Sequence, residues 1–170
     1  MFAPTVADMS LTEQPAPSGL LRLCLRLPIW LYRLRCGWVL KGRFLLLTHI
    51  GRRSGLPRQT VLEVVHHDRA TGTYFIASGW GEKSGWFRNL QRTPTVVVTI
   101  GRRHFAAAAR CLSGDEAARI LLVYAQRYPR AFRALAKLMV GRRLHGTEQD
   151  CHLLAQSVPL VALQAWRVGE

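Results

Sequence analysis

The sequence predicts an α+β protein: a small antiparallel β-barrel of about six strands, with an N-terminal helix, a short inserted helix, and C-terminal helices packed on it. Three observations carry this. Short apolar or alternating runs follow one another through turn-forming residues, which is hairpin spacing. Helical periodicity collects near the N-terminus and beyond residue 113, with one short helix between the third and fourth strands, so βαβ units are not the repeating theme. The chain has 170 residues, 49% of them hydrophobic, enough for one domain with its own core.

The elements follow in order. Residues 1–18, MFAPTVADMSLTEQPAPS, hold three prolines and no apolar core, and read as a disordered leader to a single domain over 19–170. No positive n-region precedes an apolar h-region, so this is not a signal peptide. The next stretch is apolar but interrupted by Arg22, Arg26, Arg33 and Arg35. Each buried guanidinium would cost about 2.5–3.5 kcal/mol at a bilayer centre, which excludes a membrane span. Leu27, Trp30, Leu31 and Leu34 fall at helical spacing, with Pro28 either in the first turn or kinking the helix there. A basic amphipathic helix here (residues 20–40) suits either closing one end of the core or lying on anionic lipid.

Strands are expected over Phe44–Ile50, Thr60–His66 and Tyr74–Ala77, the last two joined by a hairpin through Asp68 and Gly72. A short helix from Ser84 to Gln91 follows, with Ser84 as its N-cap and Pro94 ending the element. Strands Thr95–Ile100 and Arg103–Leu112 turn at Gly101 and Arg102. Ser113 then precedes Asp115 and Glu116, acids at a helix start where the macrodipole favours them. Further helices cover Pro129–Val140 and Thr147–Gln156, and Val158–Val168 returns as a last strand.

Charge narrows the partners. Lys+Arg total 24 against 10 Asp+Glu, a net charge of +14, so the surface draws anions. The arginines are spread along the chain and no RNA-binding aromatic signature occurs, so nucleic acid is not an expected partner; a basic polyanion- or membrane-binding module is the rival class. Cys24, Cys36, Cys111 and Cys151 lack C-x-x-C spacing and read as buried thiols of a reducing, cytoplasmic compartment, not a zinc site. Of six histidines, His66 and His67 read as surface residues of a hairpin. His49 stands close enough to the Gly51 turn to touch a phosphate, and none is assigned a catalytic role.

Two stretches bear chemistry. In THIGRRSGLPRQT, Gly51 and Gly55 permit a tight turn that crowds Arg52, Arg53 and Arg58, with the Ser54 hydroxyl, into one place. Like charges this close repel unless an anion screens them, and guanidinium forks suit phosphate and carboxylate oxygens. The bland alternative is a solvated hairpin tip. In IASGWGEKSGWFRNL, the small residues Ala77, Ser78 and Gly79 leave room for a flat ring, and the helix start near Ser84 offers free N–H donors. Trp86 and Asn89 share a helix face there, and a core role for Trp86 is the plain alternative.

Together these stretches resemble the deazaflavin-dependent nitroreductase family, users of coenzyme F420 with a split β-barrel related to pyridoxamine-phosphate oxidases. The resemblance rests on Gly51-Arg52-Arg53-Ser54-Gly55, Pro57-Arg58, Ala77-Ser78, Trp86-Phe87, Asn89-Leu90 and Pro94, in that order and spacing. It covers residues 28–113, with a looser echo at Val158-Pro159. It implies that the Arg52-Arg53-Ser54-Gly55 turn and Arg58 hold the coenzyme's phosphate and glutamyl tail. Ile76, Ala77, Ser78 and Gly79 would line the ring, with Trp80 stacking on it or narrowing the substrate side. Gly85, Trp86, Phe87 and Asn89 would complete the pocket. The implied activity is hydride transfer to an electron-poor small molecule such as a quinone, nitro compound or enone, with no acid–base residue assigned. FMN or heme in the same barrel is the alternative cofactor, and both monomer and homodimer remain open. No tyrosine accompanies Val158-Pro159, whereas nitroimidazole-reducing relatives carry tyrosines on that side; Tyr124 and Tyr128 lie earlier, on a helix.

Overall fold

A computed structural model describes residues 43–166. The expected leader, the helix through Leu27 and Leu34, and the end of the last strand beyond Trp166 lie outside the described residues. Within them the elements are β1 (Phe44–Ile50), β2 (Pro57–Asp68), β3 (Thr73–Ala77), α1 (Gly85–Arg92), β4 (Thr95–Ile100), β5 (Arg103–Cys111), α2 (Gly114–Arg127), α3 (Pro129–Val140), α4 (Glu148–Ser157) and β6 (Leu160–Ala165). The strands close into a barrel in the order β1-β2-β3-β6-β5-β4, every neighbouring pair antiparallel.

Alternation builds the barrel's core. Leu45 and Leu47 on β1, Ile76 on β3, Val96 and Val98 on β4, and Leu163 on β6 point inward and are buried. His49 continues the inward series of β1 and is buried too. Helix α1 adds Phe87 and Leu90 to the same cluster. Burying two such side chains is worth about 1.5–3 kcal/mol each, enough to hold a helix of this length in place.

A second core lies outside the barrel. Leu121, Tyr124, Phe132, Ala136, Cys151 and Leu154, from α2, α3 and α4, pack with Val65, Val158 and Leu160. Helices α2 and α4 both start with capping boxes, Ser113 with Glu116 and Thr147 with Asp150. Glu116 also receives both Arg110 terminal nitrogens, at 3.0 and 3.1 Å. That guanidinium, then the Ser113 backbone, brings its carboxyl down to about 2.

Several expectations are corrected. Strand β2 begins at Pro57, not Thr60, and pairs with β1 from Phe44↔Glu63 to Ile50↔Pro57. Proline is tolerated because it opens the strand. Arg58 is therefore a strand residue directly opposite His49. His66 and His67 are half-buried members of β2 rather than surface residues, and His67 stacks on Tyr74 at 4.0 Å. Strand β6 is shorter than expected: α4 runs to Ser157 and ends on the Val158 amide. Pro159, lacking an N–H, separates helix from strand. Cys111 is exposed, and Cys151 alone of the described cysteines is buried.

Phe132→Ala should lower the unfolding free energy by about 3–5 kcal/mol in a urea titration, since it opens a cavity in the helical core rather than in the barrel interior. Glu116 supports the fold above the ordinary carboxyl value of 4.5, and that support is lost as pH falls through about 2. In Arg110→Ala the loss should begin nearer 4.5, as read by carboxyl NMR and by the acid limb of the melting temperature.

Candidate active site at the barrel mouth

The β1–β2 turn and the start of α1 enclose a cavity of about 600 Å³. From the strands come His49, Arg58, Gln59 and Thr60; from the turn Gly51, Arg52, Arg53 and Ser54; from α1 Gly85, Trp86 and Asn89. Strand parity explains the first group. Arg58 and Thr60 lie two apart on β2, opposite the inward-facing His49 and Leu47, so both point toward the mouth.

The turn is tightly closed. The Gly51 amide donates to the Leu56 carbonyl at 2.9 Å, and the Gly55 amide to the Gly51 carbonyl at 2.8 Å. Gly55 has φ +67, a conformation glycine adopts without strain. Gly51 is needed for a different reason: a Cβ there would lie 2.7 Å from Ser54 Oγ and 2.8 Å from Arg58 Nε. Turn and strand fold over its bare Cα.

Asn89 ties this turn to α1. Its Oδ1 accepts from the Arg52 amide at 3.1 Å and from Arg52 Nη1 at 3.2 Å, and its Nδ2 lies 3.0 Å from His49 Nδ1. Arg52 Nη1 also reaches the Gly85 carbonyl, at 3.5 Å. Arg53 and Arg58 have no carboxylate partner among the described residues, and no acid lines the cavity. Burial first, then the Arg58 guanidinium, holds His49 below the ordinary imidazole value, against a bond to the Ile50 backbone that raises it.

Ser84 stands at the N-cap position of α1 but makes no side-chain cap bond. This corrects the expected capping role. Its hydroxyl instead meets Ser78 Oγ at 2.6 Å, and Ser78 Oγ lies 2.7 Å from the Gly81 carbonyl. The first amides of α1 therefore have no hydroxyl folded over them beside a cavity lined by Gly85 and Trp86, a setting favourable to an anion.

Of the residues singled out from sequence, the structure gathers Arg52, Arg53, Ser54, Arg58, Gly85, Trp86 and Asn89 around one cavity, and Gly55 shapes its turn. Ile76 and Phe87 are buried in the barrel core, and Ser78 is fully buried. Ala77 packs toward the helical core. The Gly79 Cα faces Met139 of α3, whose methyl would lie 3.4 Å from a Cβ there, and Trp80 is 41% exposed. These five and Phe87 lie outside the cavity lining. Gln59 and Thr60 were not foreseen; Thr60's place follows from the two-residue strand period, while Gln59 gave no signal.

The barrel and its rim define a split-barrel protein with an arginine-lined cavity whose donors suit an anion. Solved structures share the fold. An F420-H2 dependent reductase, FDR-A, is 22% identical, covering 72% of this chain and 94% of its own, at a TM-score of 0.50. The heme storage protein HutZ of Vibrio cholerae is 16% identical over 84% of this chain and 92% of its own, at 0.52. Atu2129 of Agrobacterium tumefaciens is 18% identical over 82% and 55%, at 0.52. Among curated proteins the sequence has no match. Residues 26–142 match the F420H(2)-dependent quinone reductase family, and the chain belongs to it. It is an oxidoreductase that uses coenzyme F420.

The donor set fits that coenzyme: guanidiniums without competing carboxylates, a hydroxyl and an uncapped helix start suit a phosphate and a polycarboxylate tail. Gly51→Ala should push the flexible Arg58 side chain aside. It should weaken F420 binding about tenfold in a fluorescence titration while the melting temperature falls only slightly.

Proposed function

We propose that the chain passes a hydride from reduced F420 to an electron-poor small molecule of the quinone, nitro or enone class. The observation that carries this is the pair of guanidiniums, Arg53 and Arg58, without a carboxylate partner among the described residues, facing the uncapped start of α1 across a cavity that no described acid lines. When bound in reduced form, the coenzyme supplies the hydride. The chain's own residues bind, orient and shield. Arg53 and Arg58 grip the phosphate and glutamyl tail, while Arg52 and Ser54 shape the turn. Gly85, Trp86 and Asn89 close the pocket from α1.

In this reading the ring lies toward Ala77, Ser78 and Gly79, supported by the bond from Ser78 to Ser84, the residue before the cavity-lining Gly85. Ile76 and Phe87 support it by packing from the barrel core. Trp80, and Met139 beside Gly79, give an apolar surface for a ring-shaped acceptor. The family's quinone reductase activity puts a quinone first among acceptors. Tyr124 and Tyr128 do not support nitroimidazole chemistry. Tyr124 donates to Glu63 Oε1 at 3.1 Å, and Glu63 pairs with Phe44, at the other end of the β1–β2 ladder from the arginine turn.

In titrations with F420 and, in parallel, FMN, the expected result is saturable micromolar F420 binding and weaker FMN binding. Arg53→Ala and Arg58→Ala should each weaken F420 about ten- to hundredfold, as loss of a charge-assisted hydrogen bond requires. Oxidation of the reduced coenzyme should be fastest with the quinone when a quinone, a nitroarene and an enone are compared. Undiminished F420 affinity in the double variant would remove the turn from the site.

A further inference from the structure

We propose that Asn89 is a positioning residue that couples His49 to Arg52, so that the protonation of His49 decides whether the arginine turn is held. This rests on the reading of that turn as the coenzyme's anion grip.

The chemistry of the donors fixes the arrangement. The Arg52 amide and guanidinium can only donate, so the Asn89 oxygen must face them, at 3.1 and 3.2 Å. The amide nitrogen of Asn89 is then left facing His49 Nδ1 at 3.0 Å. That nitrogen donates, so Nδ1 must accept, and the imidazole is neutral with its proton on Nε2. Asn89 is buried, so no bulk water stands ready to replace a lost partner.

An imidazolium would make Nδ1 a donor aimed at another donor. Rotating the amide would relieve that contact and turn the NH2 group onto the two Arg52 donors instead. No orientation of one amide satisfies a charged His49 and Arg52 together. Protonation therefore releases either the His49 contact or the turn.

The surroundings keep His49 neutral under ordinary conditions. Arg58 stands opposite it on β2, Arg52 and Arg53 line the same cavity from the turn, and α1 presents the neutral Asn89. On the other edge of β1, Thr95, Val96 and Val97 of β4 carry no charge. Burial is the largest influence in the same direction, and the bond to the Ile50 backbone opposes it.

Nitrogen-15 NMR of the full chain without coenzyme tests this. The expected result is a neutral His49 in the Nε2–H tautomer, titrating below the ordinary value of 6.5, with the Arg52 backbone amide signal shifting at the same midpoint. In His49→Gln the Arg52 signal should stay put over that range. In Asn89→Asp the carboxylate still accepts from Arg52 but favours the imidazolium, so the His49 midpoint should rise above 6.5 and Arg52 should no longer follow it. An Nδ1–H tautomer, or an Arg52 signal indifferent to wild-type His49 titration, would overturn the proposal. These signals need no ligand. Failure of F420 binding with the coupling intact would sink the functional reading alone.

Discussion

The site depends on the seating of one eight-residue helix in the mouth of a barrel. Phe87 and Leu90 of α1 enter the same apolar cluster as Leu45, Leu47 and Val98, which fixes the helix without help from a cap. A helix this short has little stability of its own. Its burial supplies what its length does not, and Ser84 is then free to bond Ser78. Asn89, between the two apolar anchors in sequence, is carried to the one place where it meets both Arg52 and His49.

Charge and packing divide the work. The barrel core sets where the mouth is. The turn, closed over the bare Cα of Gly51, sets where Arg58 and Ser54 go. Arg53 and Arg58 repel each other and Arg52, and among the described residues no acid lines the cavity to offset them. That cost is tolerable at a surface and is relieved when an anion arrives. The helical layer supplies a separate core, so variation among α2, α3 and α4 can proceed without disturbing the arginine turn, except where Met139 reaches Gly79.

The barrel was legible because alternation and turn residues are local signals: β1, β4 and the Asp68–Gly72 hairpin follow from their own residues. The limits of β2 and β6 were not, because they are set by pairing and by the length of α4. The arginine turn was legible as a cluster of charge, and its link to Trp86 and Asn89 came through the family resemblance. His49 was noticed only for its nearness to Gly51. Its inward parity with Leu45 and Leu47 was a usable signal, but its contact with Asn89 spans forty positions and no local pattern encodes it. Ser84 misled because its hydroxyl fits an N-cap as well as a partner in a neighbouring loop.

Among the described residues the six strands complete a ring in which every strand has a neighbour on each side, although Pro57–Glu63 of β2 pair with β1 alone. No described strand offers its whole length as a free edge to another chain. Any assembly through the barrel must either meet across side-chain surfaces or trade a whole strand or helix between copies, leaving each ring whole. Edge-to-edge growth into fibrils is disfavoured for the same reason, so long as the ring stays shut.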